Sequence, residues 1–477
     1  MDFDTFLIKI ARMPPAERAF VSLSRDTPPV RLTIADVEHA VSRTASWLAD
    51  QGCGEGVRVA ALTLNSIETV ILEWATYLLK AIWVGIPSRM REPSNIKEIV
   101  AATKPGLLFI QPAALEDTYG YLADLASWPG FRQIDPADVA PLRHDDGLHF
   151  SRFSIMRTDA PRQLPNLPED RKIVRFRYTS GAGGESKGIV YTANTRRAIH
   201  EIINDHIIHN SPEVMIHALP IFWATGSLIA PVFMGGGCNV LIEKWDVRTF
   251  VDAVLHEECT LTFLVPSILS ALVTYSERNG AGWARSLKRV ILAGAPTPIR
   301  TMRRARDAFP DHVRFCITLG TTEASFPITW HEVSDDDLRQ EGRALMSLGR
   351  LTDPYRRSEV IADELHVKGN AVALGEWERK TPGGYRLREF NCSFQSGDLV
   401  EANVVGILHY LGRKNVPWAA REVRHAPEAI EALLNDCCGV RRSRVDRMER
   451  ADRIYVSCGS FSTSGPFLWA RVGGLVL

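Results

Sequence analysis

Tyr178-Thr179-Ser180-Gly181-Ala182-Gly183-Gly184-Glu185-Ser186-Lys187-Gly188 lies between two apolar segments, one carrying Ile173, Val174 and Phe176 and the other Ile189, Val190 and Tyr191. Four glycines among the eight residues 181–188 let the backbone turn several N–H groups into one concavity. Thr179 and Ser180 add hydroxyls and Lys187 a positive charge, so the stretch reads as a loop for a polyphosphate. Its spacing is not Gly-Lys-Ser/Thr after four intervening residues, because Lys187 follows Ser186 and precedes Gly188. Taken alone, the same composition also describes a flexible hairpin, and the rest of the chain has to decide.

At 477 residues the chain exceeds one ordinary core, and two or three domains are expected. Lys plus Arg and Asp plus Glu are equal at 56 each, so no global field recruits nucleic acid or an anionic membrane, and any polyanion must be small and locally held. Residues 1–20 carry Asp2, Asp4, Lys9, Arg12, Glu17 and Arg18, which interrupts the apolar run a secretory leader needs. Val70 to Pro87 is broken by Glu73 and Lys80, and Leu228 to Ile242 by Pro231 and three consecutive glycines, so neither is expected to span a bilayer. Eight scattered cysteines without a CxxC pair read as reduced core thiols of a cytoplasmic protein. His200, His206 and His209 do not share one helical face and read as a solvated surface rather than a zinc site.

Alternation of helical and strand periods sets the architecture. Thr33 and Asp36 form a capping-box pattern ahead of Val37, Val41, Thr44 and Leu48. Strands are expected at 57–64, 82–86 and 106–110, with helices at 67–81 and 94–103; residues 112–170 are expected to be surface connection around a few short elements. Beyond the glycine loop the rhythm resumes, with helices at 194–209, 226–234, 247–256 and 268–275 and strands at 214–218, 239–242, 261–265, 290–293 and 315–319. The strand at 290–293 runs into Gly294-Ala295-Pro296 and that at 315–319 into Gly320-Thr321-Thr322-Glu323, where open α/β sheets bind ligands. From about residue 345, short strand-like runs at 359–361, 364–367 and 407–410 suggest a small β subdomain, and 428–434 reads as a last helix.

The glycine loop, the Gly-Ala-Pro turn, Gly-Thr-Thr-Glu, Ser396-Gly397-Asp398 and Gly412-Arg413-Lys414 occur in one order. Together they resemble the adenylate-forming superfamily of acyl-CoA synthetases, carrier-loading adenylation domains and luciferases, over roughly residues 30–431. The resemblance implies an α/β fold: a large N-terminal domain (1–412) of two layered α/β subdomains plus a small β subdomain, then a small, shortened α+β C-terminal domain (413–477). It also implies ATP and Mg²⁺, a small carboxylic acid as substrate, and CoA or a phosphopantetheinyl carrier as acceptor. Acid and ATP would give an acyl adenylate and pyrophosphate, and a thiol would then displace AMP.

By the same resemblance, Thr179, Ser180, Gly181, Gly183, Gly184 and Lys187 would hold phosphates, with Ala182 and Gly183 replacing the usual threonines. Gly294, Ala295 and Pro296 would lie against adenine, and Leu319, followed by Gly320 and Thr321, would replace the usual stacking tyrosine. Thr322 would reach the α-phosphate, Glu323 would hold the metal, Asp398 the ribose hydroxyls and Arg413 ribose or phosphate, while Lys414 would be the hinge. Leu219 to Gly226 resembles the segment of an aromatic gate, so that Trp223, Ala224, Thr225 and Gly226, with Leu264 and Phe326, would line the acyl pocket. Thr322, Glu323, Lys187 and Trp223 would form the catalytic group. Because Ala224 stands where amino-acid-activating relatives carry an aspartate, an apolar or aryl acid is expected rather than a standard α-amino acid.

Past Lys414 the pattern breaks. Glu422 replaces a glycine of the pantetheine segment, although Pro427, Ile430 and Glu431 still fit, and none of the 63 residues after Lys414 is lysine, so the family's C-terminal lysine has no counterpart. The stretch from Ile454 to Leu477 departs from the rest of that domain. Two alternatives therefore stand beside the thiol ligase: an amide synthetase using an amine acceptor, and a catalytically impaired nucleotide-binding homologue acting as a partner protein.

Overall fold

The computed structural model of the chain describes residues 13–24, 28–87, 93–114, 131–134, 148, 150, 153–158, 171–179, 187–339, 345–380, 384–414, 442–450, 453–460 and 468–475. Two compact units are present. The first consists of Met1–Phe263, Thr321–Phe326 and Asn370–Cys392, the second of Leu264–Gly320, Pro327–Gly369 and Ser393–Leu477.

The first unit opens with β1 (Arg18–Leu23) and β2 (Val30–Thr33), then runs through α1 (Ile34–Asp50), β3 (Arg58–Leu62), α2 (Ile67–Leu78), β4 (Ile82–Ile86), α3 (Pro93–Thr103) and β5 (Leu107–Ile110). Next come β6 (Phe131–Gln133), β7 (Ser154–Thr158), β8 (Ile173–Thr179), β9 (Lys187–Thr192), α4 (Ala193–Ile203) and β10 (Val214–His217). They are followed by α5 (Ile229–Met234), β11 (Cys238–Ile242), α6 (Val247–His256) and β12 (Leu261–Leu264), whose last residue belongs to the second unit. The second unit holds α7 (Pro266–Asn279), β13 (Arg289–Leu292), α8 (Ile299–Ala308), β14 (Arg314–Ile317), β15 (Thr329–Glu332), α9 (Asp335–Arg339), β16 (Arg350–Leu351), β17 (Glu359–Ile361) and β18 (Glu364–Lys368). β19 (Gly375–Lys380) and β20 (Gly384–Glu389) belong to the first unit. β21 (Ser393–Ala402), β22 (Leu408–Arg413), β23 (Arg442–Arg450), β24 (Arg453–Ser460) and β25 (Leu468–Leu475) belong to the second.

In the first unit a nine-stranded sheet has the order β20-β19-β9-β8-β4-β3-β5-β7-β6. Its centre is parallel, as the alternating pattern predicts, because β8, β4, β3 and β5 pair in parallel. Both flanks are antiparallel, through β8 with β9 and β5 with β7. Every residue of β3, β4 and β5 is buried, which explains their unbroken apolar runs. Val59 and Ala61 enter one core cluster while Ala60 and Leu62 enter another, so the sheet separates two hydrophobic layers. A second run of strands, β10, β11 and β1 in parallel with β2 antiparallel at its end, packs into the first layer through Phe20, whose ring lies 5.7 Å from Trp74 and 5.9 Å from Phe233.

In the second unit β13 and β14 are parallel, and β15 and β16 continue antiparallel. The expected β subdomain is the four-stranded sheet β17-β18-β21-β22, and β23, β24 and β25 form a three-stranded antiparallel sheet. The expected boundary at 412/413 falls on Arg413, the last residue of β22. The helix expected at 428–434, together with Glu422, Pro427, Ile430 and Glu431, lies outside the described residues.

One local expectation is met in atomic detail: Thr33 and Asp36 make the reciprocal capping box of α1. The structure adds Ser66, Thr192 and Asp246 as caps of α2, α4 and α6. Others need correction. The helix expected at 194–209 stops at Ile203, continues as one π-helical turn over Asn204–Ile208 and ends at His209 with φ 55°. His200 is half-buried rather than solvated. Strands β1, β2, β15, β19 and β20 have no counterpart in the expected pattern; within residues 112–170 the short strands β6 and β7 agree with the few short elements expected there, but Leu148 and Phe150 are buried. Cys53, Cys238, Cys259 and Cys316 are buried, and burial pushes the thiols of Cys53, Cys238 and Cys316 up to about 12, so they are inert; Cys392 is exposed. Among the described residues no helix is long and apolar enough to cross a membrane.

The segment after β10 is fixed by Asn65, whose side chain donates to Leu219 O at 2.9 Å and accepts from Ile221 N at 2.9 Å. Phe222 stacks on Trp83 with the rings 6.5 Å apart. The segment then folds so tightly that a Cβ on Gly226 would lie 1.9 Å from the Ile221 carbonyl oxygen. Gly226→Ala is therefore expected to destabilise the protein by at least about 1–3 kcal/mol. Gly54→Ala, where an added Cβ meets nothing within 4 Å, serves as the control and is expected to leave the melting temperature near wild type. Equal melting temperatures for the two variants would contradict the steric account.

Candidate active site

Lys187 opens β9, and its backbone pairs with Thr179 across the strand pair, so the loop joins two registered strands. The residues from Ser180 to Ser186, including Gly181, Gly183 and Gly184, lie outside the described residues. Gly188 has a packing role: a Cβ there would come within 3.0 Å of the Tyr178 ring across the pair. Four residues after Lys187, Tyr191 is buried, and its hydroxyl donates to the carbonyl oxygen of Thr322. Burial pushes its pKa up, so it stays a protonated donor.

That bond pins the Gly-Thr-Thr-Glu turn from one side. Ala373 N donates to Glu323 O at 2.7 Å from another, Thr321 N donates to Ser325 O at 3.1 Å, and Ala324 N donates to Thr321 Oγ1 at 3.1 Å. Ser325 is held at φ 60°, an unfavourable region for a residue with a Cβ, and its buried Oγ has no partner. Thr321, Thr322 and Glu323 stay half-exposed while Ala324, Ser325 and Phe326 are buried, so the turn offers its first three side chains and anchors itself by the next three. Phe326 packs on Phe263 with ring centroids 4.8 Å apart.

In the second unit, Gly294 takes φ 81° at the end of β13, with Val265 Cγ1 3.2 Å from where a Cβ would stand. Gly294 and Ala295 are exposed and Pro296 half-buried, which makes a shelf of backbone and small side chains. Half-buried Leu319 has its N–H bonded to Thr329 Oγ1 at 3.0 Å. Ser396-Gly397-Asp398 lies within β21 rather than in a turn, and Gly397 takes φ 73°. Asp398 faces Arg413 across the β21/β22 register, with Arg413 Nη1 donating to Asp398 Oδ1 at 2.8 Å. The residue is 4% exposed, and burial pushes its carboxyl up, opposed by the Arg413 charge. Lys414 Nζ donates to Glu364 Oε2 at 2.6 Å, and Gly397 N donates to Glu364 Oε1 at 3.1 Å. Burial alone would raise the Glu364 carboxyl, but these two donors hold it below the usual range. Glu364 thus ties the expected hinge lysine to the strand carrying Asp398, a role that its place in a short strand does not suggest from sequence.

The acyl-pocket expectations fare unevenly. Trp223 is half-buried, so it is not a core tryptophan; Thr225 is buried and spends its hydroxyl on Pro220 O at 3.0 Å. Leu264 and Phe326 are fully buried. Among the described residues two cavities lie in the first unit; of the six expected pocket residues only Gly226 lines the one walled by β8, and none lines the other, which Arg171, Thr192 and Glu389 help to wall. The cavity at β8, about 60 Å³, is walled instead by Arg175, Arg177, Arg196, Glu73, Tyr77 and Tyr191, among others. None of these stands out in the sequence, because Ile173, Val174 and Phe176 make β8 read as apolar; the signal is the pair of arginines at alternate positions.

Each unit holds donors that suit one part of a nucleotide carrying its own metal. Buried Asp398 beside a guanidinium suits a pair of hydroxyl donors, and the half-exposed Glu323 carboxylate suits a hard cation whose other ligands are phosphate oxygens. No group of three or more His, Cys, Asp or Glu positioned to hold a metal by itself occurs among the described residues.

Comparison with known proteins identifies the family. A family described as "AMP-binding enzyme" matches residues 8–376. Indoleacetate–CoA ligase of Aromatoleum aromaticum is 24% identical over 91% of this chain and 83% of its own length. Acyl-CoA ligase sidI of Aspergillus fumigatus is 24% identical over 75% of this chain and 60% of its own length. A component of the plipastatin synthase of Bacillus subtilis is 24% identical over 87% of this chain, which spans only 16% of that protein. Among solved structures, O-succinylbenzoate coenzyme A synthetase of Bacillus subtilis with ATP and magnesium superposes with a TM-score of 0.68 at 19% identity, covering 93% of this chain and 87% of that one. The amide bond synthetase Mcba of Marinactinospora thermotolerans superposes with a TM-score of 0.71 at 18% identity, covering 98% and 90%. These last two likenesses show a shared fold, and the match to more than half of the chain places it: this protein belongs to the AMP-binding enzyme family of adenylate-forming ligases.

Proposed function

We propose that this chain activates a carboxylic acid with ATP, forming an acyl adenylate and pyrophosphate, and passes the acyl group to the thiol of coenzyme A or of a phosphopantetheinyl carrier. The observation that supports this most is the Thr321–Glu323 turn, whose carbonyls are held by Tyr191 and Ala373 so that Thr322 and Glu323 are set in place before any ligand arrives. The reaction brings two anions together, so its demand is neutralisation of charge at fixed positions. In this reading Lys187 neutralises phosphate oxygens, the Thr322 hydroxyl donates to the α-phosphate, Asp398 accepts from the ribose hydroxyls and Arg413 keeps that carboxylate oriented. Gly294–Pro296 and Leu319 offer the base an aliphatic surface in place of an aromatic stack. Mg²⁺ brought with the nucleotide would supply further neutralisation of the phosphate oxygens, with Glu323 as its protein ligand. The CoA ligases among the relatives support a thiol as acceptor.

Two variants test the assignment. Asp398→Ala is expected to weaken ATP binding by about 10- to 100-fold in calorimetric titration, because a charged hydrogen-bond acceptor is lost. Glu323→Gln is expected to lower acid-dependent pyrophosphate release by about 100- to 1,000-fold while ATP binding changes far less. Unchanged binding in the first and unchanged turnover in the second would contradict the roles. For the acceptor, mass spectrometry of products formed with coenzyme A, a phosphopantetheinylated carrier and simple amines is expected to give thioesters; amides alone would replace the thiol by an amine. Nucleotide binding without turnover would favour the impaired homologue.

A further inference from the structure

The cavity walled by β8 holds more positive charge than its own residues neutralise. Arg175 and Arg177 project from alternate positions of β8 onto the face opposite Phe176, toward α2, and each residue is 3% exposed. Arg196 enters from α4, with its guanidinium 4.0 Å from the Tyr77 ring centroid. Against these three cations the lining residues include one carboxylate, Glu73. Its Oε1 accepts from Tyr77 Oη at 2.7 Å and from Arg175 Nη1 at 2.8 Å, and Arg196 Nη2 lies 3.6 Å away. Arg177 donates through Nη2 to Ser227 Oγ at 3.0 Å and lies over Tyr191 at 5.3 Å, neither of which is an anion. Arg177 Nε and Nη1 and Arg175 Nε are buried without a partner.

Buried guanidinium donors left unmatched are costly, and a planar anion that accepts two of them at once relieves that cost. The cavity, about 60 Å³, is large enough for a carboxylate with a few attached atoms. Its position says whose carboxylate. Gly226, which ends the segment carrying Trp223, forms part of its wall, and so does Tyr191, whose hydroxyl holds the Thr322 carbonyl. The cavity is therefore one tyrosine ring from the turn where the acid would be activated.

We propose that this cavity binds the distal carboxylate of a dicarboxylic acid, whose other carboxyl group is the one adenylated. The inference rests on the adenylation reading above, and it replaces the apolar or aryl acid expected from Trp223 and Ala224, neither of which lines the cavity. Arg177 is the specificity-determining side chain, Arg175 and Arg196 share the charge with Glu73, and Ser227 orients Arg177.

The test pairs each of a series of aliphatic and aryl monocarboxylates with the same acid bearing a second, terminal carboxyl group, using the full chain. Without ATP, the matching dicarboxylates are expected to raise the melting temperature and the monocarboxylates not. With ATP, pyrophosphate release is expected to favour the best dicarboxylate by about 100-fold in kcat/KM, and Arg177→Met to shrink that ratio by at least about 30-fold. A wild-type ratio near one, or one favouring monocarboxylates, overturns the inference and leaves adenylation standing. A melting shift reproduced by inorganic phosphate or sulfate alone also overturns it, because the cavity would then serve a free anion. If no acid of any class is turned over, the adenylation reading fails, and the melting shift in ATP-free wild type still decides the cavity. Should Arg177→Met not fold, the wild-type comparisons decide by themselves.

Discussion

One buried hydroxyl joins the parts of the first unit on which the functional reading depends. Tyr191 sits four residues beyond Lys187, so its position is fixed by the same strand pairing that anchors the glycine loop. Its O–H holds Thr322 through the backbone, leaving the threonine side chain half-exposed. Its ring faces the Arg177 cation at the cavity wall. Lys187, the turn and the cavity wall thus meet through one strand, β9, and a backbone carbonyl is a better anchor than a side chain because it cannot change rotamer.

The electrostatics of the two candidate regions differ in kind. In the small sheet of the second unit, charges come in matched pairs, Asp398 with Arg413 and Glu364 with Lys414, on its strands or just past them. Matched pairs position groups without leaving a strong net field. In the cavity walled by β8 three guanidiniums share one carboxylate, and desolvation pushes the Arg177 pKa down. A protein gains nothing in stability from such an excess, since buried charge without a partner is destabilising, so the arrangement is better understood through what it binds.

Much of this was legible in the sequence, for physical reasons that can be named. Buried parallel strands announce themselves as continuous apolar runs, and β4 and α6 fall on their expected residues because a helix cap or a turn closes each. Motifs made of contiguous residues, such as Gly-Thr-Thr-Glu, were also readable, since their function depends on local backbone. What escaped was set by tertiary contact. β1 and β2 are too short, at six and four residues, to show a period of their own, and β1 becomes a strand by pairing with β11, more than 200 residues away. Arg175 and Arg177 were hidden for another reason: a strand with apolar residues on one face passes for apolar throughout unless its two faces are read separately. Gly226 resembled part of a gate, whereas its necessity comes from the Ile221 carbonyl pressed against it.

The central claim is that these elements activate an acid. Exchange of labelled pyrophosphate into ATP by the full chain, measured with and without carboxylic acids, tests it most directly. Exchange that requires an acid is the predicted result, because only formation and reversal of an acyl adenylate links the two. Absence of exchange with every acid, in protein that binds ATP, would contradict it.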